Sequence, residues 1–276
     1  MAFRYVVYVF LLFVLLSITL RYFVHPMYTP ANVTLKQRLE KDGLVLLPKL
    51  LSNVELDTLN DQIDSDQIVQ AKKEIMQSTK IRQWIEKLVG KDYVFQDYIF
   101  LIKKSQFHTC HRDYNGDLFN DAQKKPSYTI IFYLTDMGKC LDVIPESHLS
   151  MKHNYNWTDY TKTVPCSKGD ALLFNANLVH NGSLTERQEN TRIQMKISHK
   201  SDLDTLSFYN QYNKVLNPTD STPMLYKQIQ KHVTCQFPVI SQYVKQFDNN
   251  KSDKEHPSNP FSSFVSSFFP SLQTAT

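Results

Sequence analysis

The stretch Lys168-Gly169-Asp170-Ala171-Leu172-Leu173-Phe174 joins a polar turn to a short apolar strand, and it indicates the fold of this chain better than any other. Gly-Asp pairs favour turns, and a short apolar run bounded by turn residues is typical of a buried strand. Two more short strands are predicted after it, at Asn177 to His180 and Thr191 to Ser198. Short strands joined by polar turns predict a β-sandwich or barrel rather than a parallel sheet.

The chain before this stretch adds strands and helices to the prediction. Ser52 begins a helix, with Glu55 three residues later completing a capping box. Residues 67–88 predict further helix. The additional strands are Gly43 to Pro48, Tyr93 to Ile102, Ser127 to Leu134, Cys140 to Ile144 and Thr161 to Val164. After Lys200 the pattern weakens and predicts modest helices at Tyr209 to Leu216, Met224 to Val233 and Val239 to Phe247.

Composition narrows the class of protein. The chain has 276 residues, of which 42% are hydrophobic, so it can bury a sizeable core. Its net charge of +4 comes from 31 basic and 27 acidic residues that are interspersed, which argues against a nucleic-acid partner. The four cysteines, at positions 110, 140, 166 and 235, form no C-x-x-C pair, so a zinc ribbon or thioredoxin motif is not expected. We favour four separate thiols, with one or two disulfides if the domain is lumenal.

The N-terminal residues are almost wholly apolar from Tyr5 to Leu20, and the run continues past Arg21 to Val24. Its length predicts a single-pass transmembrane signal-anchor at residues 5–24, followed by a stalk at 25–42. A cleaved signal peptide is the alternative, but bulky residues stand where a signal peptidase needs small ones.

The side of the membrane stays open. Basic residues after the segment favour a cytoplasmic domain, whereas three glycosylation sequons, at Asn32, Asn156 and Asn250, favour a lumenal one.

The candidate chemistry lies in Cys110-His111-Arg112-Asp113-Tyr114-Asn115-Gly116. His111 and Asp113 are two residues apart, so a strand places both side chains on the same face, with Arg112 on the other. His180 ends a downstream apolar strand, and Arg192 follows twelve residues later. Two histidines and one carboxylate are the facial ligand set of non-haem iron, and an arginine suits the far carboxylate of a 2-oxo acid. Each residue alone also fits a structural role, but their order together favours an iron site.

Three motifs resemble the phytanoyl-CoA dioxygenase family over roughly residues 44–198. They are an opening strand, Gly43-Leu44-Val45-Leu46-Leu47-Pro48, before a Ser-capped helix; Pro145-Glu146-Ser147-His148, similar to a Pro-Gly-Ser-His strand end; and Lys168 to Phe174 followed by His180 and Arg192. The resemblance implies a double-stranded β-helix of jelly-roll, cupin-like type. It also implies an oxygenase dependent on Fe(II), 2-oxoglutarate and O2, for which ascorbate can act as a reductant.

By position, the resemblance implies His111, Asp113 and His180 as iron ligands and Arg192 as the 2-oxoglutarate ligand. Ser183 is expected to help bind the co-substrate, although it stands one residue later than in the family. Tyr98 is our choice for a wall of the co-substrate pocket. His148 is expected to be structural. Glu146 replaces the family glycine, and because glutamate resists a left-handed backbone, we expect the turn to differ.

The sequence thus predicts a mainly β protein with flanking helices and an N-terminal transmembrane helix. The dioxygenase domain spans residues 43–200, a C-terminal helical extension 201–248 and a flexible tail 249–276. The predicted function is that of a membrane-anchored hydroxylase whose substrate is a small molecule, a lipid, or a membrane-proximal protein or glycan. The alternative is a non-catalytic jelly-roll binding module. A zinc hydrolase using the same ligands is weaker, since it leaves Arg192 unexplained.

Overall fold

The structure, a computed structural model, describes residues 2–23, 26–104, 109–113, 123–149, 161–183, 190–204, 211–216 and 223–236. The helices are α1 (Ala2–Phe23), α2 (Leu35–Asp42), α3 (Asn53–Asp64), α4 (Ile68–Gln77), α5 (Thr79–Val89) and α6 (Met224–Gln236). The strands are β1 (Leu44–Leu47), β2 (Tyr93–Phe95), β3 (Tyr98–Ile102), β4 (Tyr128–Tyr133), β5 (Gly138–Val143), β6 (Lys162–Cys166), β7 (Ala171–Asn175), β8 (His180–Gly182), β9 (Arg192–His199) and β10 (Tyr212–Leu216). The predicted mainly β fold with flanking helices is confirmed.

The strands form two sheets. The major sheet has the order β1-β7-β4-β9-β3-β10, with β2 also paired to β9, and the minor sheet has the order β6-β5-β8. Between these strands the pairing is antiparallel, except that β10 runs parallel to β3. The apolar inner faces of the two sheets pack together, with Ile131 and Phe174 of the major sheet in one cluster with Leu141, Val143 and Val164 of the minor sheet. This arrangement is consistent with the expected jelly-roll core.

The helices α2 to α5 cover the outer face of the major sheet. Alternation along each strand sends one set of side chains inward and the other outward. On β9 the outward set is Ile193, Met195 and Ile197, and it packs with apolar residues of these helices. The inward set therefore includes Arg192 and Lys196. The predicted capping box of α3 is present, because Ser52 and Glu55 bond each other's backbone N–H groups.

The structure differs from the predicted helices and strands at three places. The predicted strand from Tyr93 to Ile102 is interrupted at Gln96, whose backbone N–H donates to the Lys196 carbonyl and whose side chain donates to Ser198. The predicted helix at residues 67–88 breaks at Ser78, whose side chain caps α5. The helix predicted at residues 209–216 is wrong, because residues 212–216 form β10.

The error at β10 has a physical cause in the sheet edge. Without β10, strand β3 would be the edge of the sheet and would have unpaired backbone groups on the side away from β9. Strand β10 pairs with these groups. Lys72 of α4 fixes the strand there, since its ammonium binds both Asp97 and the side chain of Asn213.

The two ends of the chain give mixed outcomes. Helix α6 confirms the predicted helix at residues 224–233, whereas Val239 to Phe247 and the tail from residue 249 lie outside the described residues. Helix α1 forms over the predicted anchor, and side chains such as Tyr5 and Leu12 are exposed. Within the described part of the chain, however, no helix combines the length and apolarity needed to cross a membrane.

One residue in the turn after β5 has a left-handed backbone conformation. Glu146 has φ of +68°, so the expectation that a glutamate would change this backbone is wrong. The nearby His148 is structural, as expected: its Nε2 lies 3.0 Å from the Glu40 carbonyl oxygen. Its ring also lies against Gly43, which has φ of +82° and where an added Cβ would meet the ring at 2.5 Å.

All four cysteines are paired, so the expectation of separate thiols is wrong. Cys140 and Cys166 join the neighbouring strands β5 and β6, and Cys110 joins Cys235 at the end of α6. The Cα atoms are 5.9 and 4.8 Å apart, respectively, within the usual range for a disulfide. With separations of 26 and 125 residues, no local spacing in the sequence indicated these pairs.

Candidate metal and co-substrate site

Backbone pairing brings the two predicted histidine ligands together. His111 and His180 form an isolated antiparallel bridge, in which each backbone N–H donates to the other residue's carbonyl at 2.8 and 2.9 Å. Asp113 is tied to the same segment, since its N–H donates to the Ala176 carbonyl at 2.8 Å. The three side chains thus approach one another although 69 residues separate His111 from His180 in the sequence.

His111, Asp113 and His180 form a compact, buried cluster. One ligand atom from each lies within 4.8 Å of the other two. Asp113 Oδ1 is 3.9 Å from His111 Nε2 and 3.7 Å from His180 Nε2, and the three residues are 4–8% exposed. The donor set fits Fe(II), because two imidazoles and one carboxylate on one side leave positions open for other ligands.

Hydrogen bonds orient both imidazoles toward the cluster. His111 Nδ1 lies 2.9 Å from the Thr109 carbonyl, and His180 Nδ1 lies 2.8 Å from the Leu178 carbonyl. A carbonyl only accepts, so each Nδ1 donates, and in a neutral imidazole the lone pair then lies on Nε2. This is the arrangement that fixes the tautomer of metal-binding histidines.

The second oxygen of Asp113 has partners of its own. Oδ2 accepts hydrogen bonds from Thr129 of β4 and from the ammonium of Lys196 of β9, the latter at 2.5 Å. Oδ1 is thereby turned toward the histidines. Sequence reasoning missed Lys196, although the alternation of β9 from Arg192 places it on the same inner face.

Arg192 lies at the start of β9 on this inner face. It is 4% exposed, and its guanidinium donates to Asn190 through the backbone carbonyl at 3.2 Å and the side-chain oxygen at 2.7 Å. Burial lowers the pKa of Arg192 to about 10, which still leaves the guanidinium charged at neutral pH. A buried cation of this kind requires an anionic partner or dense hydrogen bonding.

Tyr133 is the residue that sequence reasoning missed beside Arg192. The two are direct cross-strand partners between β4 and β9. Tyr133 is fully buried, and within the described part of the protein its hydroxyl has no hydrogen-bond partner. Burial raises the pKa of Tyr133 above its usual range, so the hydroxyl stays protonated and can donate. An unpaired donor beside a buried arginine fits a carboxylate such as that of 2-oxoglutarate.

Tyr98 and Ser183 lie in different surroundings. Tyr98 is on the inner face of β3, stacked on Tyr212 with ring centroids 4.6 Å apart, and its ring lies 5.8 Å from the Lys196 ammonium. Tyr98 therefore lies on the Lys196 side of the site. Ser183 donates to Asp142 at 2.9 Å, and the alternation of β8 puts it on the face opposite His180. The structure thus does not bring Ser183 to Arg192.

Removing the Tyr133 hydroxyl tests whether Arg192 and Tyr133 together form a carboxylate-binding site, here called the carboxylate cradle. We expect Tyr133→Phe to weaken 2-oxoglutarate binding about tenfold, because one hydrogen bond to a charged group is worth about 1.5–3 kcal/mol. Calorimetric titration of the Co(II)-loaded protein measures this, with Tyr128→Phe as the control because Tyr128 contacts Tyr93 at the other end of β4. Equal 2-oxoglutarate affinity in Tyr133→Phe and the wild type would exclude Tyr133 from the cradle.

Helix α6 holds the outer face of the minor sheet through a buried polar network. Lys231 binds Asp142, which also accepts from Thr163 at 2.7 Å and from Ser183. Burial alone would raise the pKa of Asp142, but Lys231 and the hydroxyl donors hold it below its usual value. This pair is thus satisfied without any contact to the metal ligands.

The same helix is covalently bonded to the residue that precedes the candidate ligand His111. Cys110, which precedes His111, is bonded to Cys235, and its backbone N–H donates to Thr234 at 2.9 Å. The end of α6 therefore fixes the segment that carries His111 and Asp113.

Breaking this disulfide should loosen the metal site. We expect Cys235→Ser to lower stability by about 4 kcal/mol, as for a crosslink closing a long loop, and to weaken Co(II) binding about tenfold. Cys166→Ser is the matched control, because it opens the disulfide between β5 and β6. It should lower the melting temperature with less effect on the metal. Equal Co(II) affinities in the two variants would contradict the link between α6 and the ligand segment.

Comparison with known proteins finds similarity to one family over part of the chain and to several solved structures at low sequence identity. Residues 71–188 match the model of the phytanoyl-CoA dioxygenase family, a range that includes the three candidate ligands but not Arg192. No curated protein matches the chain.

Similar solved structures include the non-heme alpha-ketoglutarate-dependent epimerase SnoN from nogalamycin biosynthesis (TM-score 0.49, 17% identity, 60% of this chain and 79% of that one). AviO1 from Streptomyces viridochromogenes Tue57 matches with a TM-score of 0.48 and 15% identity, over 62% of this chain and 96% of that one. Iron-bound HygX from Streptomyces hygroscopicus matches with a TM-score of 0.49 and 10% identity, over 62% of this chain and 88% of that one. Likeness at this level transfers no activity.

The sequence match agrees with the donor set and with the arrangement of the two sheets. The chain is therefore phytanoyl-CoA dioxygenase-like over residues 71–188.

Proposed function

We propose that this protein is an Fe(II)- and 2-oxoglutarate-dependent oxygenase that hydroxylates its substrate. The observation that carries the proposal is the buried cluster of His111, Asp113 and His180 on the inner side of the fold. Its orienting hydrogen bonds leave metal-binding atoms facing one another. The family match supports the same reaction class.

One group of residues binds the metal and a second group binds the co-substrate. His111, Asp113 and His180 hold Fe(II), which supplies the activation of dioxygen that couples decarboxylation of 2-oxoglutarate to succinate with oxidation of the substrate. Arg192 and Tyr133 bind the far carboxylate of 2-oxoglutarate and so orient its 2-oxo acid end toward the ligand cluster. The apolar inner faces of the sheets keep bulk water from the site.

Turnover of 2-oxoglutarate tests this proposal. The full chain, purified in detergent with Fe(II), ascorbate and 2-oxoglutarate, should form succinate in amounts that depend on metal and on dioxygen. Metal binding without any succinate would favour the non-catalytic binding module instead. Failure to bind any divalent metal would rule out the enzyme.

The proposal extends to where the protein acts. Disulfides persist in oxidising compartments, so two of them favour a lumenal or extracellular domain. The exposed sequon residue Asn32 is compatible with this side, whereas Asn181, in a further sequon, is fully buried. Membrane attachment through residues 5–24 stays a prediction from the sequence. The substrate then belongs to that compartment, as a small molecule, a lipid, or a membrane-proximal protein or glycan.

Glycosidase treatment tests the side of the membrane. We expect the full chain expressed in eukaryotic cells to lose mass on removal of N-glycans and Asn32→Gln to lose less. The chain should also stay with membranes after alkaline extraction. An unglycosylated chain that alkaline extraction releases would contradict both parts of this assignment.

A further inference from the structure

Lys196 has no task in the reaction as described, yet it is buried against a metal ligand. Its side chain is 3% exposed and that of Asp113 is 6% exposed. The ammonium lies 2.5 Å from Asp113 Oδ2 and 3.0 Å from the Thr129 hydroxyl. Lysine is rarely buried at this level without a specific partner, and here that partner is the only carboxylate in the ligand cluster.

The ion pair changes the charge that a metal meets. A histidine binds a metal as the neutral imidazole, and the Lys196 ammonium offsets the charge of Asp113, so the ligand set of a bound metal would carry no net charge. Arg192 on the same strand face adds a buried positive charge. A divalent cation bound alone is therefore left uncompensated in a region of low dielectric, which is costly.

A dianionic 2-oxo acid neutralises this uncompensated positive charge. 2-Oxoglutarate carries two carboxylates, one suited to the metal and one to Arg192. Its binding supplies the negative charge that Lys196 takes from the ligand set. By linkage, each of two ligands that stabilise one another raises the affinity of the other by the same factor.

Resting on the proposed function, we infer that Lys196 makes metal binding depend on the co-substrate. Lys196 lowers the affinity for metal alone and strengthens the coupling between metal and 2-oxoglutarate. It also holds Asp113 Oδ2, which reserves Oδ1 for the metal. Lys196 is thus a positioning and charge-balancing residue that need not touch either ligand.

The test uses Co(II), titrated calorimetrically into the full chain with and without 2-oxoglutarate. In the wild type, 2-oxoglutarate should raise Co(II) affinity about tenfold or more. In Lys196→Met the Thr129 hydroxyl still holds Asp113 Oδ2, so the change in charge dominates. Co(II) alone should bind about tenfold tighter, and the enhancement by 2-oxoglutarate should shrink about tenfold. Lys196→Gln, which removes the charge and keeps a hydrogen-bond donor, should behave like Lys196→Met and serves if the methionine variant does not fold.

Two controls separate charge from folding. Lys196→Arg keeps the charge and should preserve the coupling. Lys72→Met breaks the pair that another buried lysine forms with Asp97, and neither residue belongs to the ligand cluster; it should lower the melting temperature without changing Co(II) binding. If the neutral Lys196 variants match the wild type in Co(II) affinity and enhancement, the inference is overturned while the proposed function stands. If the wild type binds no Co(II), both are overturned.

Discussion

Replacing His180 with alanine is expected to abolish both metal binding and succinate formation. His180 is one of the three candidate ligands, and its backbone pairs with His111, so the imidazole is lost while the bridge can remain. Removal of one candidate ligand leaves two protein donors, which hold Fe(II) less tightly against water. We expect the affinity for Co(II) to fall at least about 100-fold, consistent with the 10–100-fold loss seen for outer partners alone. Metal content after dialysis and succinate yield measure the two effects.

A second histidine provides the control for this prediction. His148 is bonded to the Glu40 carbonyl and packs against Gly43, in the turn that follows β5. His148→Ala should therefore lower the melting temperature but retain one metal per chain. Loss of metal in His148→Ala, or its retention in His180→Ala, would show that the ligand set is assigned incorrectly.

Replacing Arg192 with methionine is expected to raise the dissociation constant for 2-oxoglutarate about 100-fold. The guanidinium is buried, charged and held by Asn190, so a carboxylate that binds against it loses its cationic partner in the variant. Loss of one partner of a buried charged pair costs about 2–5 kcal/mol. Titration of 2-oxoglutarate into the Co(II)-loaded variant measures the change.

The Arg192 variant should keep its metal. Arg192 forms no part of the ligand cluster, so Co(II) should still bind in its absence. Arg192→Lys keeps the charge but loses the planar fork, and we expect an intermediate affinity for 2-oxoglutarate. Unchanged affinity in Arg192→Met would place the co-substrate elsewhere in the protein.

The cluster of candidate metal ligands was predictable because metal chemistry constrains residue type and order. Once the strands are recognised, His111-x-Asp113 with a downstream His180 indicates a metal site with two histidines and one carboxylate. The roles of Tyr133 and Lys196 were missed, because the sequence does not tell which alternate side chains of a strand face inward. The strand register decides this, and it pairs Tyr133 with Arg192.

Long-range contacts explain the remaining differences between the structure and the predictions from the sequence. Ser183 stood near the expected position in the sequence, but the alternation of β8 turns it to Asp142 on the other face. Residues 212–216 have little strand signal of their own, and the open edge of β3 made them a strand. The pairing of Cys110 with Cys235 depends on where α6 packs, which no local pattern encodes.

The most direct measurement is anomalous diffraction from crystals of the protein grown anaerobically with Fe(II) and 2-oxoglutarate. The account predicts one iron peak bonded to His111 Nε2, His180 Nε2 and Asp113 Oδ1, with a 2-oxoglutarate carboxylate against Arg192 and the Tyr133 hydroxyl. Iron bound elsewhere, or an intact His111–Asp113–His180 cluster without iron at saturating concentration, would contradict it.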